Sequence, residues 1–582
     1  MSPPAIRDQW YQAQAERQAI ACWINCYLRE FALPRGQADL DDRGHDAPGG
    51  LAHVGGRMLR MTFAEPGYAL CIGIARSSRL GRCEFASPPY LKAPGDAWRC
   101  ADADATVRFL LERLAPECGF NGELHAQTMN SIEVARQLLA RSLDAPLTGD
   151  ALLDAEQGML WGHAMHPTPK SREGLPLPLV LDASPEIRAR VPLFWFRIDP
   201  RLFRGQGRDV RATLATVSGA TDRYPCHPWE AERLLAQPPL QAAIAAGWVE
   251  PLGPLGDALY PTSSVRTMYH PALDYFLKLS IHVRLTNCVR KNAWYELESA
   301  VALTRLLEPV WRDVTRQVPG FDVMVEPAAT TLDFSAFSDD ADALRELTEG
   351  FGMLYRENLS PLHRKRYRPQ VAGALFTTDR DGHSVCRRMV EGLGGPYAPM
   401  ALAWFQAYAA RLLEGTWLAF FRHGVVLEPH LQNTVVGFDR GMPARVWVRD
   451  LEGTKLVEHH WPARRLDGLS ERARASLGYS ADRGWKRIAY CALVNNLAEA
   501  IFHLCGDDLA LEHRMWQSIA DLARGWQARH GRQPALQGLV DGDALPSKNN
   551  LRTRLFRRAD RDADYTALPS PIGTQAPWVV AA

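Results

Sequence analysis

The stretch "LEPHLQNTVV", Leu427 to Val436, sets a carboxylate, an imidazole and two amides directly before a β-branched run. A second β-like run, "RVWVRDLEG", follows and carries Asp450 near its end. An Asn and an Asp on neighbouring strands can hold Mg²⁺ against phosphate oxygens, because this ion takes one or two carboxylates and completes its octahedron with other oxygens and water. Glu428, Asn433 and Asp450 supply such a set, with an ordinary hairpin bearing solvated polar ends as the competing reading.

A phosphate-binding kit lies upstream in "PTSSVRTMYH", where the hydroxyls of Ser263, Ser264 and Thr267 surround Arg266. Arginine offers forked donors and hydroxyls fill the remaining acceptor positions of an oxyanion. The kit leads into "FLKLSIHVRLT", in which Leu277, Leu279, Ile281, Val283 and Leu285 alternate with Lys278, Ser280, His282, Arg284 and Thr286. That period of two predicts one strand with a core face and a polar face. Lysine occurs at only positions 92, 170, 278, 291, 365, 455, 486 and 548, so Lys278 gains weight. On a straight strand Lys278 and Thr286 lie about 26 Å apart, so a site using both must be elongated or the strand must bend. Asn287 is expected to cap a helix that carries Arg290 near its start and runs through "AWYELESAVALTRLL".

In "GHAMHPTPKSREG", His163 and His166 have HxxH spacing, but Pro167 and Pro169 favour an extended loop. Such a loop, with Lys170 and Arg172, suits an anion better than zinc. His227 in "YPCHPWE" reads at least as well as a packed histidine as a catalytic one. The dipeptide Gly–Lys never occurs and there is no GxSxG, so any ATP site is not of the P-loop type.

These residues must be positioned by a chain of 582 residues, long enough for two to four domains. Break points near 150 and 340 suggest segments 1–150, 151–340 and 341–582. The first has an opening helix, short strands and an amphipathic helix using Ile132, Val134, Leu138 and Leu139. The third is mainly helical: "RELTEGFGMLYREN", "PMALAWFQAYAARLLEGTWLAFFRH" closed by Gly424, and "WKRIAYCALVNNLAEAIFHL", with "NTVVGF" and "RVWVRDLEG" as a hairpin. The 67 basic and 66 acidic residues nearly cancel, which argues against a nucleic-acid partner. No leader is visible and the apolar "PMALAWFQAYAA" is too short for a bilayer, so a soluble cytoplasmic protein without a membrane partner is expected. Eleven cysteines, none in a CxxC pair, read as reduced thiols.

Taken in order, "GHAMHPTPKSREG", "HPWE", "SSVRT", "LKLSIHVRLTNCVRKN", "EPHLQNTVV", "VRDLEG" and "KNNLRTRL" resemble the IucA/IucC family of NRPS-independent siderophore synthetases. The likeness spans roughly residues 160 to 555, and the full set is specific although each member is not. Two departures are Glu230, where a Gln is common, and Ala164, where a Pro is frequent. The resemblance implies an α+β, multidomain cupped hand with thumb, fingers and palm, the palm distantly kinase-like, and a homodimer. It implies ATP-dependent adenylation of a carboxylate, then attack by an amine, hydroxylamine or alcohol. By this likeness Ser264, Arg266, Thr267, Lys278, Gln432 and Asp450 bind ATP, and Glu428, Asn433 and Asp450 hold Mg²⁺. Thr286, Arg290 and His430 take the substrate carboxylate, with His166, Lys170 and Arg172 closing the pocket; Lys278, Arg290, His430 and Arg266 carry catalysis.

Citrate has three carboxylates, so several cations must hold it and screen it from ATP. Lys278, Arg266 and Mg²⁺ can align and stabilise the attack on the α-phosphate without a covalent enzyme intermediate. His430 is expected to hold the acyl-adenylate or take up a proton from the nucleophile. "RLTNCVRKN" followed by "YELESAV" favours citrate over citrate monoamide, 2-oxoglutarate or a succinylated diamine. The C-terminal part of such proteins resembles ferric-iron reductases, but the last fifty residues here contain no Cys, so a terminal iron–sulfur site is not expected. The rival readings are a kinase-like phosphotransferase releasing ADP and a non-enzymatic ferric-siderophore binder.

Overall fold

Helix Pro3–Tyr27 opens the chain and buries Trp23, Ile24 and Tyr27 against an antiparallel sheet. A computed structural model describes residues 3–40, 46–51, 57–142, 145–285, 288–378, 383–559 and 562–573. The sheet runs in the order Ala38–Leu40, Arg57–Thr62, Ala69–Ser77, Tyr90–Lys92, Arg99–Cys100, with Cys83–Phe85 on Ala69–Ser77. Helices Ala103–Cys118 and Gly122–Ser142 complete this core, the second burying Ile132, Val134, Leu138 and Leu139 as its period requires.

The C-terminal part of the chain returns here. Leu551 and Leu555 of helix Asn550–Leu555 join the N-terminal core. Glu30 accepts the backbone N–H groups of Asn550 at 2.9 Å, Leu551 at 3.0 Å and Arg552 at 2.7 Å, capping that helix. Burial pushes the Glu30 carboxyl up to about 7 despite these bonds. Residues 341–582 therefore do not keep to themselves.

The middle of the chain holds a six-stranded sheet in the order Tyr260–Pro261, Thr267–Tyr269, Tyr275–Lys278, Met353–Glu357, Ala328–Leu332, Phe203–Gly207. Here two expectations are corrected. The single strand over "FLKLSIHVRLT" is two: Tyr275–Lys278 stays in the six-stranded sheet, whereas Ile281–Leu285 pairs with Cys288–Arg290 and with Arg172–Glu173 in another. Ser280 makes the break, because its hydroxyl donates to Glu349 O at 2.5 Å and accepts from Asn292 N at 2.9 Å. The bend that the 26 Å spacing called for thus lies between Lys278 and Ile281. Arg290 is on the returning strand of this hairpin, and the helix begins later, at Trp294. Thr286 and the proposed cap Asn287 lie outside the described residues.

The segment "RELTEGFGMLYREN" is also split. Helix Ala341–Gly350 ends and strand Met353–Glu357 begins, buried on both faces between two neighbours. A doubly covered strand shows no alternation, so its apolar run is indistinguishable from a helix face.

Helix Tyr397–Trp417 passes into a π-helical turn, Leu418–Arg422, and the chain reverses at Gly424, whose φ of +65° and whose bond to Phe420 O at 2.8 Å make it a C-cap. Strands Thr434–Asp439 and Met442–Arg449 form the expected antiparallel hairpin, and Phe321–Met324 pairs in parallel with the second. Helix 481–505 is longer and more apolar than the stretch singled out in the sequence, and by length it could cross a membrane; its apolar window is wholly buried inside the fold. Its middle, Ala489–Leu497, is π-helical. None of the ten described cysteines forms a disulfide.

Candidate active site

The "SSVRT" turn is held by Thr262 N on Thr267 O at 2.8 Å and by Ser264 Oγ on Thr267 Oγ1 at 2.8 Å. Val265 adopts φ +67°, an unusual conformation for a β-branched residue, and its side chain is buried with Ile281 and Val283. The turn aims Arg266 inward. Its guanidinium donates to Arg290 O at 3.1 Å and Asn292 Oδ1 at 2.5 Å, and lies 4.0 Å from Glu452. Asn292 in turn donates to Lys278 O at 2.9 Å and Gly352 O at 2.8 Å, tying the turn, the broken strand and the hairpin together.

Lys278 Nζ meets Asp450 Oδ1 and Glu452 Oε2, both at 2.7 Å. Arg356 approaches the same Asp450 oxygen at 2.8 Å and Glu326 at 2.7 Å. Burial alone would raise the Asp450 carboxyl, but Lys278 and Arg356 hold it well below the usual carboxylate range. Burial would likewise lower the Lys278 ammonium, and Asp450 and Glu452 more than offset it, so it stays charged. Asp450 has φ +80° at the hairpin's end. Two strained non-glycine residues, Val265 and Asp450, thus frame one cluster of charge.

The loop before the hairpin is joined to this cluster from the other side. Gln432 Nε2 donates to Ser263 Oγ at 3.3 Å, and the Ser263 hydroxyl and N–H donate to Glu156 at 2.7 and 3.1 Å. Arg449 pairs with Glu156 and donates to Gln432 O at 2.7 Å. His430 Nδ1 accepts the N–H groups of Gln432 and Asn433, each at 3.3 Å. Burial holds its imidazole below the usual range. A neutral ring whose Nδ1 is an acceptor carries its proton on Nε2. His430 therefore presents a donor at Nε2. Glu428 is paired with Arg487, and a Cβ on Gly453 would overlap its carboxylate.

His163 joins this loop through Asn495, which contacts His163 Nε2 at 2.7 Å and accepts from Leu431 N at 3.0 Å. The neighbouring Asn496 donates to Pro429 O at 3.0 Å and Thr434 Oγ1 at 3.1 Å. The π-helical stretch thus turns two successive amides onto the loop. Burial drops the His163 imidazole to about 3, aided by the positive fields of His166, His430, Lys548 and Arg29. Arg29, His163, Tyr490, Asn495 and Lys548 line a narrow cavity of about 20 Å³. His166 is buried next to His163, its backbone N–H donating to His163 O at 3.2 Å and its Nδ1 accepting from Thr168 N at 3.1 Å, whereas Lys170 and Arg172 turn to one buried oxygen of Glu186, at 2.6 and 2.5 Å.

Sequence reasoning missed Arg356, Glu326, Glu452, Asn292, Glu156, Arg449, Asn495 and Asn496. Glu452 was findable, two residues after Asp450 in "RDLEG"; Arg356 was hidden by reading its strand as helix.

A family model described as "IucA / IucC family" matches residues 151–377. The rhizobactin siderophore biosynthesis protein RhbC of Rhizobium meliloti (strain 1021) is 28% identical over 588 residues, covering 96% of this chain and 95% of that protein. The solved ATP-bound aerobactin synthetase IucA from a hypervirulent pathotype of Klebsiella pneumoniae superposes with a TM-score of 0.81 at 22% identity, over 96% of this chain and 100% of that one. Residues 151–377 thus carry the match to the IucA/IucC family, and the likeness to a siderophore-biosynthesis protein runs along nearly the whole chain. The chain is also 27% identical to an L-2,3-diaminopropanoate–citrate ligase of Staphylococcus aureus (strain NCTC 8325 / PS 47), over 77% of its own length and 79% of the ligase. Residues 402–563 match a second model, described as "Ferric iron reductase FhuF-like transporter".

Proposed function

We propose that this protein is a siderophore-biosynthetic ligase that adenylates a carboxyl group of citrate with ATP and condenses it with an amine, hydroxylamine or alcohol, releasing AMP and pyrophosphate. The observation that carries the reading is the junction at Lys278, where a strained phosphate-type turn meets Asp450 and Glu452 beside a loop bearing His430. Its similarity to a protein named as a citrate ligase supports the choice of acid.

In this reading Ser264, Thr267, Arg266 and Lys278 bind the triphosphate, which displaces Asp450 and Glu452 from Lys278. Mg²⁺ fits the residues present. The buried amide nitrogen of Asn433 has no hydrogen-bond partner among the described residues, and turning that amide over aims an unpartnered oxygen instead. Asp450 supplies an ionised carboxylate a quarter exposed. Glu428 would complete the set on release from Arg487. When bound, Mg²⁺ screens triphosphate charge. Arg290 and Thr286 orient the acid, His430 donates to it from Nε2, and the neutral His163 with His166, Lys548 and Arg29 supplies a polar wall. Lys170 and Arg172 support that wall through Glu186. The amine attacks the acyl carbon, the bond to AMP breaks and the nitrogen sheds a proton. The same reading takes 1–150, 151–340 and 341–582 as thumb, fingers and a kinase-like palm of a cytoplasmic homodimer.

The test is pyrophosphate release across a panel of acids, with hydroxylamine as trap. Citrate-dependent hydroxamate is expected. ADP in place of pyrophosphate would replace the reading with a phosphotransferase, and no ATP turnover with any acid would replace it with a binder.

A further inference from the structure

Helix Ala151–Gln157 carries no residue assigned to a substrate, yet one of its side chains joins two parts of the site. Glu156 is buried and gives each carboxylate oxygen to a different segment. Oε2 accepts the hydroxyl and the N–H of Ser263, at 2.7 and 3.1 Å, and Oε1 accepts from the Arg449 guanidinium. The two segments meet again through Gln432. Its Nε2 donates to Ser263 Oγ at 3.3 Å, and its carbonyl oxygen accepts from Arg449 Nε and Nη2 at 3.0 and 2.7 Å. The four residues thus form a closed circuit whose only anion is Glu156.

Each member outside the helix stands one residue before a proposed ligand of ATP or Mg²⁺: Ser263 before Ser264, Gln432 before Asn433, Arg449 before Asp450. Arg449 N also donates to Asn433 O at 3.0 Å, which ties the two metal-side residues at the backbone. Ser263 and Gln432, which the sequence places among the phosphate ligands, each spend a donor on the circuit instead. The acid side has anchors of its own, Asn495 on Leu431 N and Asn496 on Pro429 O. Burial would raise the Glu156 carboxyl, but Arg449 and Ser263 hold it below the usual range, so both oxygens remain acceptors.

Resting on the proposed ligase reading, we infer that Glu156 is a positioning residue for ATP and Mg²⁺: through Ser263, Gln432 and Arg449 it sets the phosphate-binding turn against the metal-binding hairpin, and it touches neither substrate. A carboxylate is required because both of its neighbours are donors. A glutamine of the same shape has one acceptor oxygen and one donor nitrogen, so either way round it points N–H at N–H, toward Ser263 or toward Arg449. The turn or the hairpin is then released.

The test is Glu156→Gln in the full chain, read by pyrophosphate release with citrate and hydroxylamine and by calorimetry with Mg²⁺ and α,β-methylene-ATP. KM for ATP and the half-saturating Mg²⁺ should each rise about tenfold or more, while KM for citrate stays within about threefold. Ser263→Ala removes the hydroxyl and keeps the N–H bond, so it should give a smaller rise in the same direction. The two changes together should give no more than Glu156→Gln alone. Asp154→Ala loosens the same helix on another face, where that carboxylate holds Thr148, Gly149 and Arg188. It should lower the unfolding midpoint and leave all three constants unchanged. A Glu156→Gln protein whose kcat falls with its folded fraction while its constants hold, a KM for citrate that rises as much as that for ATP, additive effects of the two changes, or a raised KM for ATP in Asp154→Ala each overturn the inference. If Glu156→Gln does not fold, Ser263→Ala decides, and an unchanged KM for ATP there overturns it. Its failure is distinct from that of the ligase reading: wild-type protein that forms no hydroxamate with any acid loses adenylation, yet a Glu156-dependent affinity for α,β-methylene-ATP in calorimetry still upholds the positioning role.

Discussion

Two carboxylates in this molecule sit between two cations each, and they do opposite things. Glu186 takes both Lys170 and Arg172 and is sealed, with its side chain 4% exposed and those of its partners 8% and 5%. Asp450 takes Lys278 and Arg356, each 6% exposed, but is itself 28% exposed. In the first cluster no ligand can reach the anion, so its charges are used up in holding the 166–172 loop. In the second the anion is the accessible member, so an incoming phosphate can exchange with it on Lys278. Accessibility of the shared carboxylate, not the presence of cations, separates a scaffold from a site.

The strongest way to break that contrast is to remove one cation from each cluster. Lys278→Ala should lower turnover by about 10³-fold or more while unfolding changes less than in the sealed cluster, because Asp450 keeps Arg356 and water and Glu452 keeps Arg266 at 4.0 Å. Pyrophosphate release and denaturant unfolding read the two effects; a Lys278→Ala protein with near-normal turnover would remove the junction from the chemistry.

Glu186→Gln should do the reverse. It leaves Lys170 and Arg172 buried with one neutral acceptor, at a cost of about 3–5 kcal/mol in unfolding free energy. The pH dependence sharpens this. Burial would raise the Glu186 carboxyl, but Arg172 and Lys170 hold it down to about 2, below its ordinary 4.5. A depressed carboxylate contributes stability that is fully present above pH 4.5 and is lost as pH falls toward 2, here about 3 kcal/mol. The acid limb of stability should therefore flatten in Glu186→Gln, and an unchanged limb would mean the pair is worth little.

A smaller effect tests how the basic pocket is tied to the site. Asn496→Ala leaves Pro429 O and Thr434 Oγ1 without their donor in a buried place, so about 1–3 kcal/mol of stability should go. Turnover should fall with it as the His430 loop loosens. Intact activity at lower stability would make the π-helical amides a packing device alone.

Much of this was legible in the residue types. The hairpin ending at Asp450, the Gly424 cap and the clustering of "SSVRT" with Lys278 follow from local rules of turn, cap and alternation. What was hidden is non-local. Nothing in "LKLSIHV" announces that Ser280 is bonded to Glu349 and Asn292, which bends an ideal alternating pattern into two sheets. Arg356 lay in a run with no alternation, and Glu156 meets Arg449 across 293 positions. Lys170 and Arg172 looked like an anion site because the sequence does not show where Glu186 folds back.

The least disruptive test is at Val265, where strain and packing oppose each other. A β-branched residue at φ +67° costs about 1–2 kcal/mol, which glycine would relieve. Glycine also gives up the buried contact with Ile281 and Val283, about 2 kcal/mol, and adds chain entropy to the unfolded state of about 0.5–1 kcal/mol. The sum is a net loss near 1 kcal/mol, so Val265→Gly should remain folded. If the buried valine exists to clamp the turn that aims Arg266, the variant should show a severalfold higher KM for ATP with the KM for the acid nearly unchanged. Equal changes in both constants would place the strain outside the phosphate side of the junction and weaken its contrast with the sealed cluster at Glu186.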